Sequence, residues 1–205
     1  DPDVDRLSLV DGAGVAPGEE YTLAIAADFL FGKGVDAAAV NLSTSRMIED
    51  AAARHDAAVH RSAVGEINVV NVMRERGAGF GGEGNGGVIY PPLHEGRDAV
   101  LGMALILQCM AETGKSLAEL TARFPRYAMV KDKIPLASGG AWREPLLAAF
   151  PGVTADLRDG VRLDFGTSWA HVRLSNTEPI IRIIAEAPTR SELDAILEKV
   201  RSAVM

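Results

Sequence analysis

Two polar side chains stand on a nearly bare backbone in the glycine-rich stretch 80–92. Across residues 81–87, only Glu83 and Asn85 carry side chains. Glycine lets the backbone come close to a ligand, while a carboxylate accepts hydrogen bonds and an amide both donates and accepts them. These groups suit the recognition of neighbouring hydroxyls. The same composition also fits a glycine-rich turn between two strands.

A second chemical pattern opens the chain, where Asp1, Asp3 and Asp5 occupy alternate positions and Arg6 follows them. Three carboxylates in one loop can converge on a hard cation, because Mg²⁺ prefers oxygen ligands. An acidic, solvated chain end would have the same composition. Both interpretations remain open on these residues alone.

A third pattern lies in residues 173–179, which read Arg-Leu-Ser-Asn-Thr-Glu-Pro between two apolar strand patterns. The hydroxyls of Ser175 and Thr177, the amide of Asn176 and the guanidinium groups of Arg173 and Arg182 could together surround a phosphate dianion. A plain Ser/Asn/Pro turn with surface arginines is the alternative.

The elements that must position these groups form two series. In the first, helical patterns at 17–34, 43–54, 66–76 and 97–113 alternate with strand patterns at 7–10, 38–42 and 57–59. This alternation predicts an α/β domain with a mixed sheet layered with helices. The wide apolar arc of residues 97–113 predicts a largely buried helix that ends at Gly114. Ser116 and Glu119 have the spacing of a capping box.

The second series follows a break at Phe124 and Pro125. It contains strand patterns near residues 127–133, 161–165, 169–174 and 180–187, with helices at 140–150 and after Thr189. Three of these strands succeed one another with short links. The segment therefore predicts a smaller α+β domain with an antiparallel sheet.

Composition narrows the function classes. The 205 residues carry a formal net charge of −7, which argues against nucleic-acid or anionic-membrane partners. No apolar run approaches the roughly 20 residues of a membrane span. A single cysteine, Cys109, excludes an internal disulfide and favours a reducing, cytoplasmic location.

The three chemical patterns occur together in the order of a known family. Residues 1–6, 82–87 and 173–179 resemble the metal-binding, sugar-specificity and phosphate-binding loops of the α-D-phosphohexomutases, with residues 41–46 and 64–65 adding to the likeness. That family includes phosphoglucomutase, phosphomannomutase and phosphoglucosamine mutase. The whole chain resembles its C-terminal half.

This resemblance implies an isomerase that interconverts hexose or hexosamine 1-phosphate and 6-phosphate through a bisphosphate. It implies residues 1–12 as the remnant of a preceding domain, 13–124 as a sugar-binding domain and 126–205 as a phosphate-binding domain. The implied ligands follow the loops: Asp1, Asp3 and Asp5 for Mg²⁺ beside Arg6, Glu83 and Asn85 for the sugar, and Arg173, Ser175, Asn176, Thr177 and Arg182 for phosphate.

Departures from the family pattern affect substrate and catalysis. Asn85 and Gly87 replace the serine and histidine of the common sugar loop, and Ala63 replaces a lysine. No segment resembles the Ser-His-Asn-Pro loop of the phosphorylated serine, and residues 43–45 read as a helix cap. We therefore expect this chain to need the family's N-terminal domains as partners and to be inactive alone. A non-catalytic phosphosugar-binding module is the alternative.

Overall fold

The computed structural model describes residues 1–135, 141–175 and 178–205. These residues divide into two compact units, Asp1–Pro125 and Arg126–Met205. Among the described residues, no helix is both long and apolar enough to cross a membrane.

The first unit is built on a four-stranded mixed sheet. Its strands are β1 (Ala37–Asn41), β2 (Ala58–Ser62), β3 (Phe80–Glu83) and β4 (Gly87–Ile89). Their spatial order is β2-β1-β3-β4. Strand β1 runs parallel to β2 and β3, whereas β4 is antiparallel to β3. The parallel strands therefore end at one edge of the sheet, which is where open α/β sheets usually bind ligands.

Five helices belong to this unit: α1 (Glu20–Phe31), α2 (Met47–Ala53), α3 (Glu66–Arg76), α4 (Ala99–Thr113) and α5 (Leu117–Thr121). Every residue of β1 is buried, because helices cover both faces of the sheet. Ala37 and Ala39 pack against Val69 and Met73 of α3. Helix α1 contacts α2 and α4. The predicted α/β class is confirmed.

Two local predictions in this unit were wrong. Residues 7–10 form no strand, since β4 offers only three residues for pairing and Leu7 makes a single backbone hydrogen bond to the Gly86 carbonyl. Helix α4 buries only part of its apolar arc: the side chains of Val100, Met103 and Leu107 are exposed. Its end at Gly114 is confirmed by a left-handed residue there.

In its described residues, the second unit is a five-stranded antiparallel sheet with two helices. Its strands are β5 (Ala128–Pro135), β6 (Thr154–Asp156), β7 (Val161–Asp164), β8 (Trp169–Leu174) and β9 (Ile180–Ala187), in the order β5-β9-β8-β7-β6. Helices α6 (Arg143–Ala149) and α7 (Arg190–Val204) pack on one face. Leu146, Leu193 and Val200 meet alternate residues of β8 and β9 there. This confirms the predicted α+β class; the three-residue β6 was not predicted.

The glycine-rich stretch forms a hairpin, in which β3 and β4 are joined by residues 84–86. Gly86 has φ +89° at the last turn position, where a three-residue hairpin loop commonly needs a left-handed residue. A Cβ at Gly86 would also clash with the Leu7 carbonyl oxygen. The hairpin turn and the N-terminal segment therefore depend on glycine at this position.

Replacing Gly86 by alanine is expected to lower the free energy of unfolding by about 1–3 kcal/mol, because the left-handed backbone and the clash both oppose a side chain. Gly12 is the matched control, since a Cβ there meets no atom within 4 Å. Urea denaturation of the two alanine variants makes the comparison. Equal stability of the two variants would show that the turn tolerates a side chain.

Candidate functional site

The carboxylate of Glu83 lies at the carboxyl end of β3 and is the centre of a buried polar network. The residue is 5% exposed. Its Oε1 accepts hydrogen bonds from Asn41 Nδ2 at 2.7 Å and from the backbone N–H of Gly65 at 3.0 Å. Gly65 is the N-cap of α3, so the helix dipole also favours this negative charge. The position of Glu83 is thus set by β1, β3 and α3 together.

Arg97 joins this carboxylate to two others. Its Nη1 is 2.8 Å from Glu83 Oε2, its Nε is 2.9 Å from Glu66 Oε2 and its Nη2 is 2.6 Å from Asp5 Oδ2. One guanidinium thus binds three carboxylates, and its side chain is only 18% exposed. Charge-assisted hydrogen bonds of this kind are about twice as strong as neutral ones. Arg97 therefore holds the N-terminal acidic segment against the hairpin.

The residue after Arg97 caps helix α4. Asp98 is the N-cap of that helix and accepts a hydrogen bond from the Leu101 N–H at 2.9 Å. This backbone hydrogen bond, followed by the one with His94, lowers the pKa of the Asp98 carboxyl. The cap stays ionised at neutral pH and keeps Arg97 at the start of a rigid helix.

The three predicted metal ligands have different surroundings. Asp1 pairs with Arg6, whose Nε is 2.5 Å from Asp1 Oδ2, and Asp5 pairs with Arg97. Asp3 is exposed. In the described part of the chain, no group of three or more His, Cys, Asp or Glu side chains is arranged to hold a metal ion. Binding of Mg²⁺ by Asp1, Asp3 and Asp5 stays a prediction.

The donor chemistry of this segment nevertheless fits the ion. All three side chains offer carboxylate oxygens, which are hard ligands. Asp5 Oδ1 is buried and accepts no hydrogen bond from the part of the chain that the structure describes. Arg6 Nε lies 3.4 Å from this oxygen. A buried carboxylate oxygen without a donor is the kind of atom that a cation would satisfy.

An open cavity of about 220 Å³ connects the acidic segment with the hairpin turn. It is lined by Asp1, Arg6, Leu7, Ser8, Glu19 and Asn85. Two of the residues predicted to bind ligands, Asp1 and Asn85, therefore share one surface with Arg6. The cavity offers charged groups of both signs, together with an amide and a hydroxyl, to a polar ligand.

The hairpin glycines contact the protein itself. A Cβ at Gly84 would clash with the Glu20 carboxylate, and one at Gly87 with the side chain of Arg97. The Gly84 N–H donates to Thr44 Oγ1 at 3.2 Å, and the Gly87 N–H donates to Asn85 Oδ1 at 3.2 Å. The alternative of a glycine-rich turn is thus correct as local structure. It still leaves Asn85 at the cavity.

Sequence reasoning did not identify Arg97, Glu66 or Asn41 as site residues. Asn41 lies in one of the segments that resemble the family, so a signal was present. Arg97 gave none, because its partners Glu83 and Glu66 are 14 and 31 positions away. Separations of this size follow from how the strands and helices meet, not from any local pattern.

In the second unit, Arg173 and Arg182 are direct partners on β8 and β9. Arg182 Nη2 is 3.4 Å from Ser175 Oγ and 3.3 Å from Glu178 Oε2. Its Nε is buried and has no hydrogen-bond partner among the described residues. Asn176 and Thr177 lie outside the described residues. The structure therefore brings together three of the five predicted phosphate ligands.

The described residues around Arg173 provide little negative charge to balance its guanidinium group. Its Nη1 is 4.0 Å from Asp159 Oδ2 and 3.4 Å from the Leu174 carbonyl oxygen. His171, two residues earlier, is buried, and burial lowers the pKa of its imidazole. The neutral ring is 2.5 Å from the Asp159 carbonyl oxygen. The two arginines are thus the main cations at this loop.

Two family models match nearly the whole chain. Residues 18–127 match the model described as phosphoglucomutase/phosphomannomutase, alpha/beta/alpha domain III. Residues 130–203 match the one described as phosphoglucomutase/phosphomannomutase, C-terminal domain. The matched regions correspond to the two units of the structure.

Individual proteins agree with these matches. A phosphoglucomutase/phosphomannomutase of Thermococcus kodakarensis is 34% identical over 97% of this chain and 44% of its own length. A probable phosphoglucosamine mutase of Methanopyrus kandleri is 33% identical over 100% of this chain and 47% of its own. The chain therefore spans about half the length of these curated relatives.

A solved structure has the same fold. The N-acetylphosphoglucosamine mutase of Aspergillus fumigatus, in complex with GlcNAc-6P and magnesium, has a TM-score of 0.72 at 17% identity, covering 98% of this chain and 47% of its own. With its sheets, its loops and both family models in agreement, the chain belongs to the phosphoglucomutase/phosphomannomutase family, as part of its C-terminal half.

Proposed function

We propose that this chain supplies the sugar, phosphate and metal sites of a phosphohexomutase that interconverts hexose or hexosamine 1-phosphate and 6-phosphate through a bisphosphate. Membership of the family supports a phosphoglucomutase-type function. The nucleophilic serine is not among these 205 residues, since no Ser-His-Asn-Pro loop occurs in the sequence. The proposal assigns this group to the part of the longer relatives that this chain does not cover.

The observation that carries the proposal is the pairing of Arg173 with Arg182. Two like charges directly opposite each other on antiparallel strands destabilise a sheet. Such a pair is favourable when a shared anion lies between the guanidinium groups, each of which can donate two parallel hydrogen bonds. Ser175 adds a hydroxyl beside Arg182. Asn176 and Thr177 complete the proposed phosphate loop.

Glu83 and Asn85 are the proposed sugar ligands. Glu83 is held by donors from three elements, so its carboxylate needs no reorganisation when a hydroxyl donates to it. Asn85 lines the cavity at the tip of the same hairpin. The relatives act on different sugars by name, glucose or mannose in one and glucosamine in the other, so the proposal extends to hexoses and hexosamines.

Asp1, Asp3 and Asp5 are the proposed ligands of Mg²⁺, with Arg6 beside them. The buried, unsatisfied Asp5 Oδ1 supports this assignment, as does the magnesium in the Aspergillus fumigatus mutase. When bound there, Mg²⁺ would supply positive charge that stabilises a phosphate during its transfer. Asp1 must leave Arg6 to join the ligand set.

The proposed partners are a sugar phosphate and the N-terminal domains, with neither nucleic acid nor membrane. The acidic net charge of −7 supports the absence of nucleic-acid and membrane partners, and the single cysteine supports a cytoplasmic setting. A non-catalytic phosphosugar-binding module is the other candidate function. Both candidate functions predict that the chain alone binds sugar phosphates without turning them over. The experiment that distinguishes them therefore measures activity after the N-terminal domains are added.

The 205-residue chain by itself is expected to show no mutase turnover, because covalent catalysis cannot proceed without its nucleophile. A coupled assay with glucose 1-phosphate, and one with glucosamine 1-phosphate, measures this. Adding the N-terminal domains should restore activity if the chain is part of a mutase. Turnover by the chain alone would contradict the assignment of the serine, while failure of reconstitution would favour the binding module.

The variant Arg173→Ala is expected to weaken phosphate binding by roughly one to two orders of magnitude, since removing a charged hydrogen-bonding partner costs about 1.5–3 kcal/mol. An NMR titration with inorganic phosphate measures the dissociation constant. Arg190→Ala is the matched control, because Arg190 is exposed on α7 and pairs with Asp194. Unchanged affinity in Arg173→Ala would leave the plain-turn interpretation standing.

The variant Glu83→Gln should separate sugar from phosphate recognition. Its new amide group meets donors at Arg97, Asn41 and Gly65, so the free energy of unfolding should fall by about 1.5–3 kcal/mol. Affinity for glucose 6-phosphate should fall, while affinity for inorganic phosphate stays nearly unchanged. Glu75→Gln, on the exposed side of α3, controls for the charge change. A parallel loss of phosphate affinity would mean that Glu83 has no specific role toward the sugar.

A further inference from the structure

Three cationic residues form one row across the sheet of the second unit. Lys133 on the edge strand β5 is the direct partner of Arg182 on β9, and Arg182 is the direct partner of Arg173 on β8. Direct partners in an antiparallel sheet point to the same face. The three cations therefore share the face that carries the proposed phosphate site.

The opposite face of β5 contacts helix α7. Asp132, the residue before Lys133, binds Arg201 of α7, with Oδ2 2.6 Å from Nη2. Successive residues of a strand point to opposite faces. Lys133 thus points away from the helices, and it is exposed.

The row is short of negative charge. Adjacent strands are about 4.8 Å apart, so the backbone positions of Lys133 and Arg173 are roughly 10 Å apart with Arg182 between them. Arg182 has Glu178 at 3.3 Å and Arg173 has Asp159 at 4.0 Å. Lys133 makes no ion pair within the part of the chain that the structure describes. Three neighbouring cations of which one lacks a partner favour an anion in their midst.

We propose that Lys133 is a third cationic ligand of the phosphate site, an inference that rests on the proposed role of Arg173 and Arg182. An ammonium group on a flexible stem reaches across one strand spacing and acts as a point charge. The two arginines supply the directional hydrogen bonds. Lys133 supplies the charge that lets the site hold a phosphate as its dianion.

An alternative explanation for Lys133 is protection of an exposed sheet edge, since lysine on an edge strand discourages pairing with another chain. Lys131 provides the matched comparison. It lies two residues away on the same strand and face, but its partner on β9 is Ile184. Edge protection applies equally to both lysines, whereas phosphate binding applies to Lys133 alone.

The test is titration of inorganic phosphate into the 205-residue chain at low ionic strength, with amide shifts near residues 173–182 as the readout. Lys133→Met should weaken binding about threefold to tenfold, Lys133→Arg should restore most of the affinity, and Lys131→Met should stay within about twofold of the parent. Binding should also become less sensitive to salt in Lys133→Met, because one cation fewer faces the anion.

The outcomes separate this inference from the proposed function. If Arg173→Ala weakens binding while Lys133→Met binds like the parent, the phosphate site stands and Lys133 is not its ligand. Equal losses in Lys133→Met and Lys131→Met would also overturn the inference, because only the general charge of the edge would then matter. If neither Arg173→Ala nor Lys133→Met changes affinity, both assignments fail.

Discussion

The first unit depends on one guanidinium group. Arg97 binds Asp5 of the N-terminal segment, Glu66 at the start of α3 and Glu83 at the end of β3. Three carboxylates that close together would repel one another without it. The three carboxylates and Arg97 together still carry a net charge of −2. The site therefore combines a rigid frame with a local excess of negative charge, which suits hydroxyl donors and cations.

The hairpin between β3 and β4 is shaped by close packing against the same part of the unit. Its glycines let Glu20, Leu7 and Arg97 approach the backbone more closely than any side chain would allow. Close packing leaves Asn85 as the side chain of the turn that reaches the cavity. Close packing around the hairpin thus explains both why glycines occupy most of the turn and why the Asn85 amide faces the cavity.

In the second unit, the register of the paired strands brings positively charged side chains together, in addition to those of the loop. Pairing of β8 with β9 places Arg173 beside Arg182, and pairing of β5 with β9 adds Lys133 to the row. The buried His171 remains neutral, since burial lowers the pKa of its imidazole. The two units thus present opposite local charge, one suited to cations and hydroxyls and the other to a phosphate dianion.

The sequence by itself determined most of the elements and the chemical inventory. Apolar periodicity and capping residues such as Ser116 and Thr189 predicted the helices, because both signals are local. The resemblance of three loops predicted the family. Only the tertiary structure decided which groups meet: it joined Arg97 to carboxylates distant in the chain, aligned Lys133 with Arg182, left Val100 and its neighbours exposed on α4, and gave residues 7–10 no strand partner. Contacts between distant residues depend on which strands pair and on how the helices pack against them, and the packing of each whole unit sets both.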